Sequence, residues 1–185
     1  MKFSRRTVFT CIAAMVTTSA LAAPPKKTAA SAQVERGRYL VMVGGCNDCH
    51  SPKQPGGMVP DPARLLSGHP SGSGAPDKPA KMGDIHVAGD LTAWYGPWGL
   101  SYTANLTPDP TTGIGKRYNE AAFIKTMRTG KKPEGEDLLP PMPWPNYAQM
   151  TDSDLKAIYA YLRTLKPVEN NVKAGAAPAR AAAKK

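Results

Sequence analysis

The sequence predicts an all-α fold of few helices joined by long loops. Three observations point there. Three segments combine apolar residues at helical spacing with recognisable start or stop residues, no segment alternates convincingly enough for a strand, and 17 Gly plus 19 Pro in 185 residues favour extended connections over continuous helix. The length suits one domain. Three cysteines are too few for a disulfide scaffold, and no apolar run reaches the roughly 18 residues of a membrane span.

The chain opens with Lys2, Arg5 and Arg6, then a mostly apolar stretch from Val8 to Ala22 ending in Ala20-Leu21-Ala22. A positive start, a short apolar run and an Ala-x-Ala site define a secretory leader over residues 1–22. Ser4-Arg5-Arg6-Thr7 faintly resembles a twin-arginine signal. Removing the leader takes Cys11, three basic residues and no acidic ones, so the net charge falls from +10 to +7. Residues 23–32 read as a flexible linker, because Pro24, Pro25, Lys26, Lys27 and a run of Ala and Ser offer nothing to pack.

Val34 to Val43 is the first expected helix. Tyr39 to Val43 are apolar on nearly every face, which implies burial against more than one neighbour. Gly37 inside it costs about 1 kcal/mol relative to Ala, a cost that close approach by another helix would offset. From Ser51 to Leu100 the chain is Gly/Pro-rich without sustained period, a long loop insert. Asn119 to Thr129 is the second helix, with Asn119 as its cap, Phe123, Ile124 and Met127 on one side and Gly130 as its stop. Pro140-Pro141-Met142-Pro143-Trp144-Pro145 cannot be helical. The third helix follows: Thr151 and Asp154 approximate a capping box, Met150 and Leu155 a staple, and Leu155, Ile158, Tyr159 and Leu162 a stripe that Pro167 ends. The domain is expected over residues 33–168, and residues 169–185 read as a disordered Ala/Lys-rich tail.

The chemistry lies in Cys46-Asn47-Asp48-Cys49-His50, the attachment motif of a c-type haem. Two vinyl groups on adjacent pyrroles can each be reached by thiols three residues apart on one tight turn. The next residue then lies under the iron and offers an imidazole nitrogen. A thioredoxin-like pair would need a βαβ setting, a zinc site would need four ligands, and a disulfide across three residues closes too small a loop to stabilise much. A flat apolar group would also fill the thin core that three short helices leave. For the sixth iron position, Met42 and Met127 read as core, Met150 as the staple, and Met58 and Met82 as weak candidates in the insert. His69 and His86 are alternatives otherwise expected to face solvent. Met142 is favoured, because flanking prolines hold its backbone stiff and aim the thioether.

Gly37-Arg38-Tyr39-Leu40-Val41 leading into the motif, Gly96-Pro97-Trp98-Gly99, Asn105-Leu106-Thr107-Pro108-Asp109, Thr112-Gly113-Ile114-Gly115, Met127-Arg128-Thr129-Gly130, Pro141-Met142-Pro143-Trp144 and the helix from Asp154 to Leu162 carry a resemblance. The chain resembles the bacterial class I mono-haem cytochromes c, more narrowly the periplasmic cytochromes and dehydrogenase cytochrome subunits with a long insert after the haem motif. The resemblance implies the class I cytochrome c fold around one haem c. It implies covalent attachment at Cys46 and Cys49, axial ligation by His50 and Met142, and a crossing of the first and last helices near Gly37 and Tyr159. Tyr118 stands where relatives often have Trp.

A His/Met iron has no open position for substrate, and the neutral thioether favours the ferrous state. The expected function is therefore a periplasmic one-electron carrier rather than an enzyme. It would take electrons from a periplasmic dehydrogenase and pass them to an oxidase or another cytochrome, as a monomer or a subunit of a complex. Two alternatives are a bound dehydrogenase subunit and a haem enzyme or gas sensor (peroxidase-like) with an open or labile sixth position. The charge of +7 suits docking on acidic patches, or simply solubility. Export and the lack of an aromatic-interleaved basic patch argue against nucleic acid as a partner.

Overall fold

The computed structural model describes residues 28–173. The expected leader, the start of the expected linker and most of the expected tail lie outside the described residues. Among these residues five helices occur in the order α1 (Ala29–Val43), α2 (Cys46–His50), α3 (Glu120–Thr129), α4 (Trp144–Tyr147) and α5 (Asp152–Leu162). Between α2 and α3 run a 3₁₀ turn (Pro62–Arg64) and three strands, β1 (His86–Val87), β2 (Ala93–Gly96) and β3 (Gly99–Tyr102).

α1 begins at Ala29, five residues before Val34 and within the stretch read as linker. The reason is local: the Thr28 side chain accepts from Ser31 N–H at 3.2 Å, and the following alanines are the strongest helix formers. Gly44 ends the helix, and Gly45 at φ +68° turns the chain into α2. α3 is capped by Asn119, whose side chain accepts from Ala122 N–H at 2.8 Å, and stops at Gly130 in the left-handed region. α5 is capped by Thr151, which accepts from Asp154 N–H at 3.1 Å. The Asp154 carboxylate accepts from Arg36 Nε at 2.9 Å, linking α5 to α1.

α1 and α5 cross at Gly37. A carbon added there would lie 2.5 Å from the Ala157 carbonyl carbon and 2.8 Å from Tyr161 Cβ, so only glycine permits this approach. The point of contact is thus Ala157 and Tyr161. Tyr159 lies beside it, its ring 5.5 Å from Phe123 and its hydroxyl donating to Tyr118 O at 2.8 Å. Leu40 and Val41 of α1, Leu66, Ile114, Phe123 and Met127 of α3, and Leu155, Ile158 and Leu162 of α5 form the core. Among the described residues the rest of the apolar run on α1 has no cover: Tyr39, Met42 and Val43 are 49%, 59% and 58% exposed, because α5 meets only the opposite side of the helix.

The all-α expectation is corrected by the antiparallel sheet β1-β2-β3. β2 and β3 form a hairpin with Ala93 opposite Tyr102 and Gly96 opposite Gly99 around Pro97-Trp98. Four-residue strands are too short to display alternation against a Gly/Pro-rich background, so the period was invisible. Trp98 folds back over Gly96, where a side chain would clash with its ring, and Trp94 Nε1 donates to Leu91 O at 2.9 Å. The tryptophans therefore close the hairpin on itself. Ser101 Oγ of β3 donates to Pro140 O at 2.7 Å, tying the sheet to the proline-rich segment that carries Met142.

The tail also starts later than expected. Asn170 is buried, and its amide donates to Ser67 O at 2.6 Å and His69 O at 2.8 Å while its Oδ1 accepts from Ser71 N–H at 2.8 Å. One polar side chain that satisfies three backbone groups has no apolar signature, which is why the position read as tail.

Candidate functional site

α2 is a single five-residue helical turn, so Cys46 and Cys49 share a face and His50 follows directly. Both thiols are free and half-buried, and Cys46 packs against the core. Burial pushes the Cys46 thiol up to about 11 and raises that of Cys49. A dithiol redox centre runs on a depressed thiol, and burial acts here in the opposite direction. Among the described residues no group of three or more His, Cys, Asp or Glu could hold a metal ion.

His50 is fixed by one bond: its Nδ1 lies 2.8 Å from Ala104 O. A carbonyl can only accept, so Nδ1 carries the proton and Nε2 keeps its lone pair. Desolvation lowers the imidazole pKa, which holds it neutral as a ligand must be. Two free thiols on one turn and a neutral imidazole with its free nitrogen set by the backbone fit a covalently attached haem.

The Ala104 carbonyl is held from both sides. Gly68 N–H donates to His50 O at 2.7 Å, His69 N–H to Thr103 O at 3.0 Å, and Leu106 N–H to Leu66 O at 2.8 Å. Asn105 is buried with every polar atom used: Oδ1 accepts from Thr107 N–H and Oγ1, and Nδ2 donates to Thr112 Oγ1 and Val168 O. Asp109 in turn accepts from Thr111 N–H, Thr112 N–H and Thr112 Oγ1, bonds that hold its carboxyl below the usual range. The stretch from Asn105 to Gly115 is thus a scaffold behind the histidine's partner.

Met142 sits half-buried between Pro141 and Pro143 and packs against the core. α4 follows at once, and its Tyr147 hydroxyl donates to Gly44 O at 2.6 Å. That bond joins the Met142 segment to the α1–α2 junction, two residues before Cys46. Burial, with Cys46 and Cys49 as further causes, pushes the Tyr147 phenol up to about 12. Of the other described methionines, Met42, Met58 and Met82 are 59%, 53% and 100% exposed, Met127 is in the core, and Met150 packs beside it.

His69 corrects the expectation of a solvent-facing residue. It is buried, with Nδ1 2.8 Å from Thr92 Oγ1, Nε2 3.0 Å from Ser73 O and its ring 4.6 Å from that of Tyr102. Both nitrogens are engaged, so it serves structure. The hairpin that covers it was the part the sequence did not reveal. His86 is exposed on β1 as expected. Sequence reasoning missed Ala104, which acts through its backbone and leaves no side-chain signal. It also missed Tyr147, whose hydroxyl ties the Met142 segment to Gly44.

No protein-family model matches the chain. It is 35% identical over 150 residues to the gluconate 2-dehydrogenase cytochrome c subunit of Pantoea cypripedii, covering 81% of this chain and 27% of that protein. It is 34% identical over 151 residues to the cytochrome c subunit of a quinone alcohol dehydrogenase from Gluconacetobacter polyoxogenes, covering 81% and 25%. A diheme cytochrome c-type protein of Cereibacter sphaeroides is 26% identical over 136 residues, 73% of this chain and 37% of that one. The chain spans about a quarter of the length of the dehydrogenase subunits it matches.

Proposed function

Because this chain is a cytochrome c similar to the cytochrome subunits of bacterial dehydrogenases, we propose that it is an exported electron-transfer subunit carrying one haem c. The names of these relatives favour a subunit bound to a dehydrogenase over a freely diffusing shuttle. In this reading the class I cytochrome c fold positions the group. Cys46 and Cys49 would hold it through thioether bonds, and His50 Nε2 and Met142 Sδ would ligate its iron.

The observation that carries the reading is the His50–Ala104 bond on the same turn as two free, half-buried thiols. The haem supplies a one-electron iron couple. The chain sets the terms on which it works. Ala104 O fixes the imidazole tautomer and ring direction. The proline-flanked Met142, tied through Tyr147 to Gly44, offers a neutral thioether from a stiff segment. A closed ligand set leaves no site for substrate, so the dehydrogenase partner performs the chemistry and this chain relays single electrons onward to a respiratory acceptor. Among the described residues no helix is long and apolar enough to cross a membrane.

The test is the visible spectrum of the haem-loaded protein. His/Met ligation predicts a low-spin haem, the weak long-wavelength sulfur-to-iron band when ferric, and no carbon monoxide binding when ferrous. High-spin character with rapid carbon monoxide binding would replace this reading with the open-site alternative.

A further inference from the structure

α2 has a problem at its C-terminal end. A five-residue helix leaves its last carbonyls without intrahelical partners, and their negative ends gather on the turn that bears His50. The His50 Nδ1 proton goes to Ala104 O, so it cannot answer them. The answer comes from Lys53. Its ammonium group donates to Ser51 O at 2.6 Å, Asp48 O at 2.8 Å and Asn47 O at 3.5 Å, three donors on three carbonyls.

This lysine is not a loose surface chain. Its backbone pairs with Pro60 in a bridge closed by Gln54 N–H on Val59 O at 2.9 Å and Asp61 N–H on Pro52 O at 2.8 Å. The carbonyls it grips are pinned too. Ser51 Oγ donates to Asn47 Oδ1 at 2.9 Å and accepts from Leu66 N–H at 2.8 Å. Partial burial lowers the ammonium pKa, and Asp90 on the loop before β2, Cys49 and Asp48 on α2 itself oppose that shift.

We propose that Lys53 is a positioning residue whose fixed positive charge caps the haem-bearing turn and raises the reduction potential of the iron. This rests on the haem c reading given above. Oxidation adds a positive charge at the iron. A fixed cation bonded to the same turn opposes that charge, and it also neutralises carbonyl dipoles that would otherwise favour the ferric state. Both effects stabilise the ferrous form.

The experiment is a potentiometric titration of haem-loaded wild type, Lys53→Gln, Lys53→Arg and Asp90→Asn, with absorption spectra recorded alongside. Lys53→Gln should titrate at a lower potential with unchanged ferric and ferrous bands, and Lys53→Arg should stay near wild type. A Lys53→Gln potential equal to wild type would overturn the proposal. So would an equal fall in Lys53→Arg, because loss of packing would then explain the effect. If Lys53→Gln does not assemble with haem, Asp90→Asn decides: removing the opposing charge should raise the potential, and a value at or below wild type rejects the role. Colourless wild-type protein would overturn the haem reading and this inference together, whereas coloured protein with an unmoved potential overturns this inference alone.

Discussion

Gly37→Ala tests the packing that holds the site together. The added methyl carbon would lie 2.5 Å from the Ala157 carbonyl carbon and 2.8 Å from Tyr161 Cβ. Ordinary carbon contacts need about 3.5–4.0 Å, so α1 must withdraw from α5 by about 1 Å. The obstacle on α5 is backbone, so no rotamer change relieves it. A gap of that size forfeits a quarter to a half of each contact along the seam formed by Leu40, Val41, Leu155 and Ile158. Overpacking of this kind costs about 3 kcal/mol at the upper end of its usual range. Replacing a mid-helix glycine by alanine returns about 1 kcal/mol of helix propensity. The net expectation is a loss of about 2 kcal/mol, from a total stability on the order of 5–15 kcal/mol. Thermal unfolding of the haem-loaded variant, followed by circular dichroism, should show a melting point about 4–8 °C below wild type. A Gly37→Ala protein as stable as wild type, or more so, would refute the crossing and the role given to this glycine.

Two further predictions concern the site and its scaffold. Met142→Ala should abolish the long-wavelength ferric band and admit carbon monoxide to the ferrous protein, whereas Met150→Ala should leave both unchanged; an unaltered Met142→Ala spectrum removes Met142 as ligand. Asp109 has a folded pKa below its unfolded one, chiefly through Thr112 N–H, so its contribution is complete above the unfolded value of about 4 and is lost as pH falls through the folded one. Asp109→Asn should therefore be less stable than wild type in denaturant at neutral pH, with the gap closing under strong acid. A gap independent of pH would contradict the carboxylate's role.

What could be read from the sequence divides along a physical line. Helix boundaries set by local chemistry were legible: Asn119 and Thr151 cap α3 and α5, and Gly130 ends α3. The helical turn bearing Cys46, Cys49 and His50 was legible too, because that spacing puts both thiols on one face. Gly37 signalled a close crossing through its cost in a helix. The sheet was not legible, since β1 has two residues and β2 and β3 four each, and pairing between them is non-local. His69 looked like a loop residue because its burial depends on that sheet. Ala104 and Asn170 escaped notice for a different reason. One acts through a carbonyl that any residue possesses, and the other satisfies backbone groups about a hundred residues away. The exposed side of α1 shows the opposite error: Tyr39, Met42 and Val43 read as core, yet the described residues provide no cover for them.

The most direct test is the intact mass of the exported, mature protein, measured under denaturing conditions that strip any loosely held group. The account requires the polypeptide mass plus that of one haem, with the increment lost when both Cys46 and Cys49 are replaced by Ala. A wild-type mass equal to the bare polypeptide would contradict it.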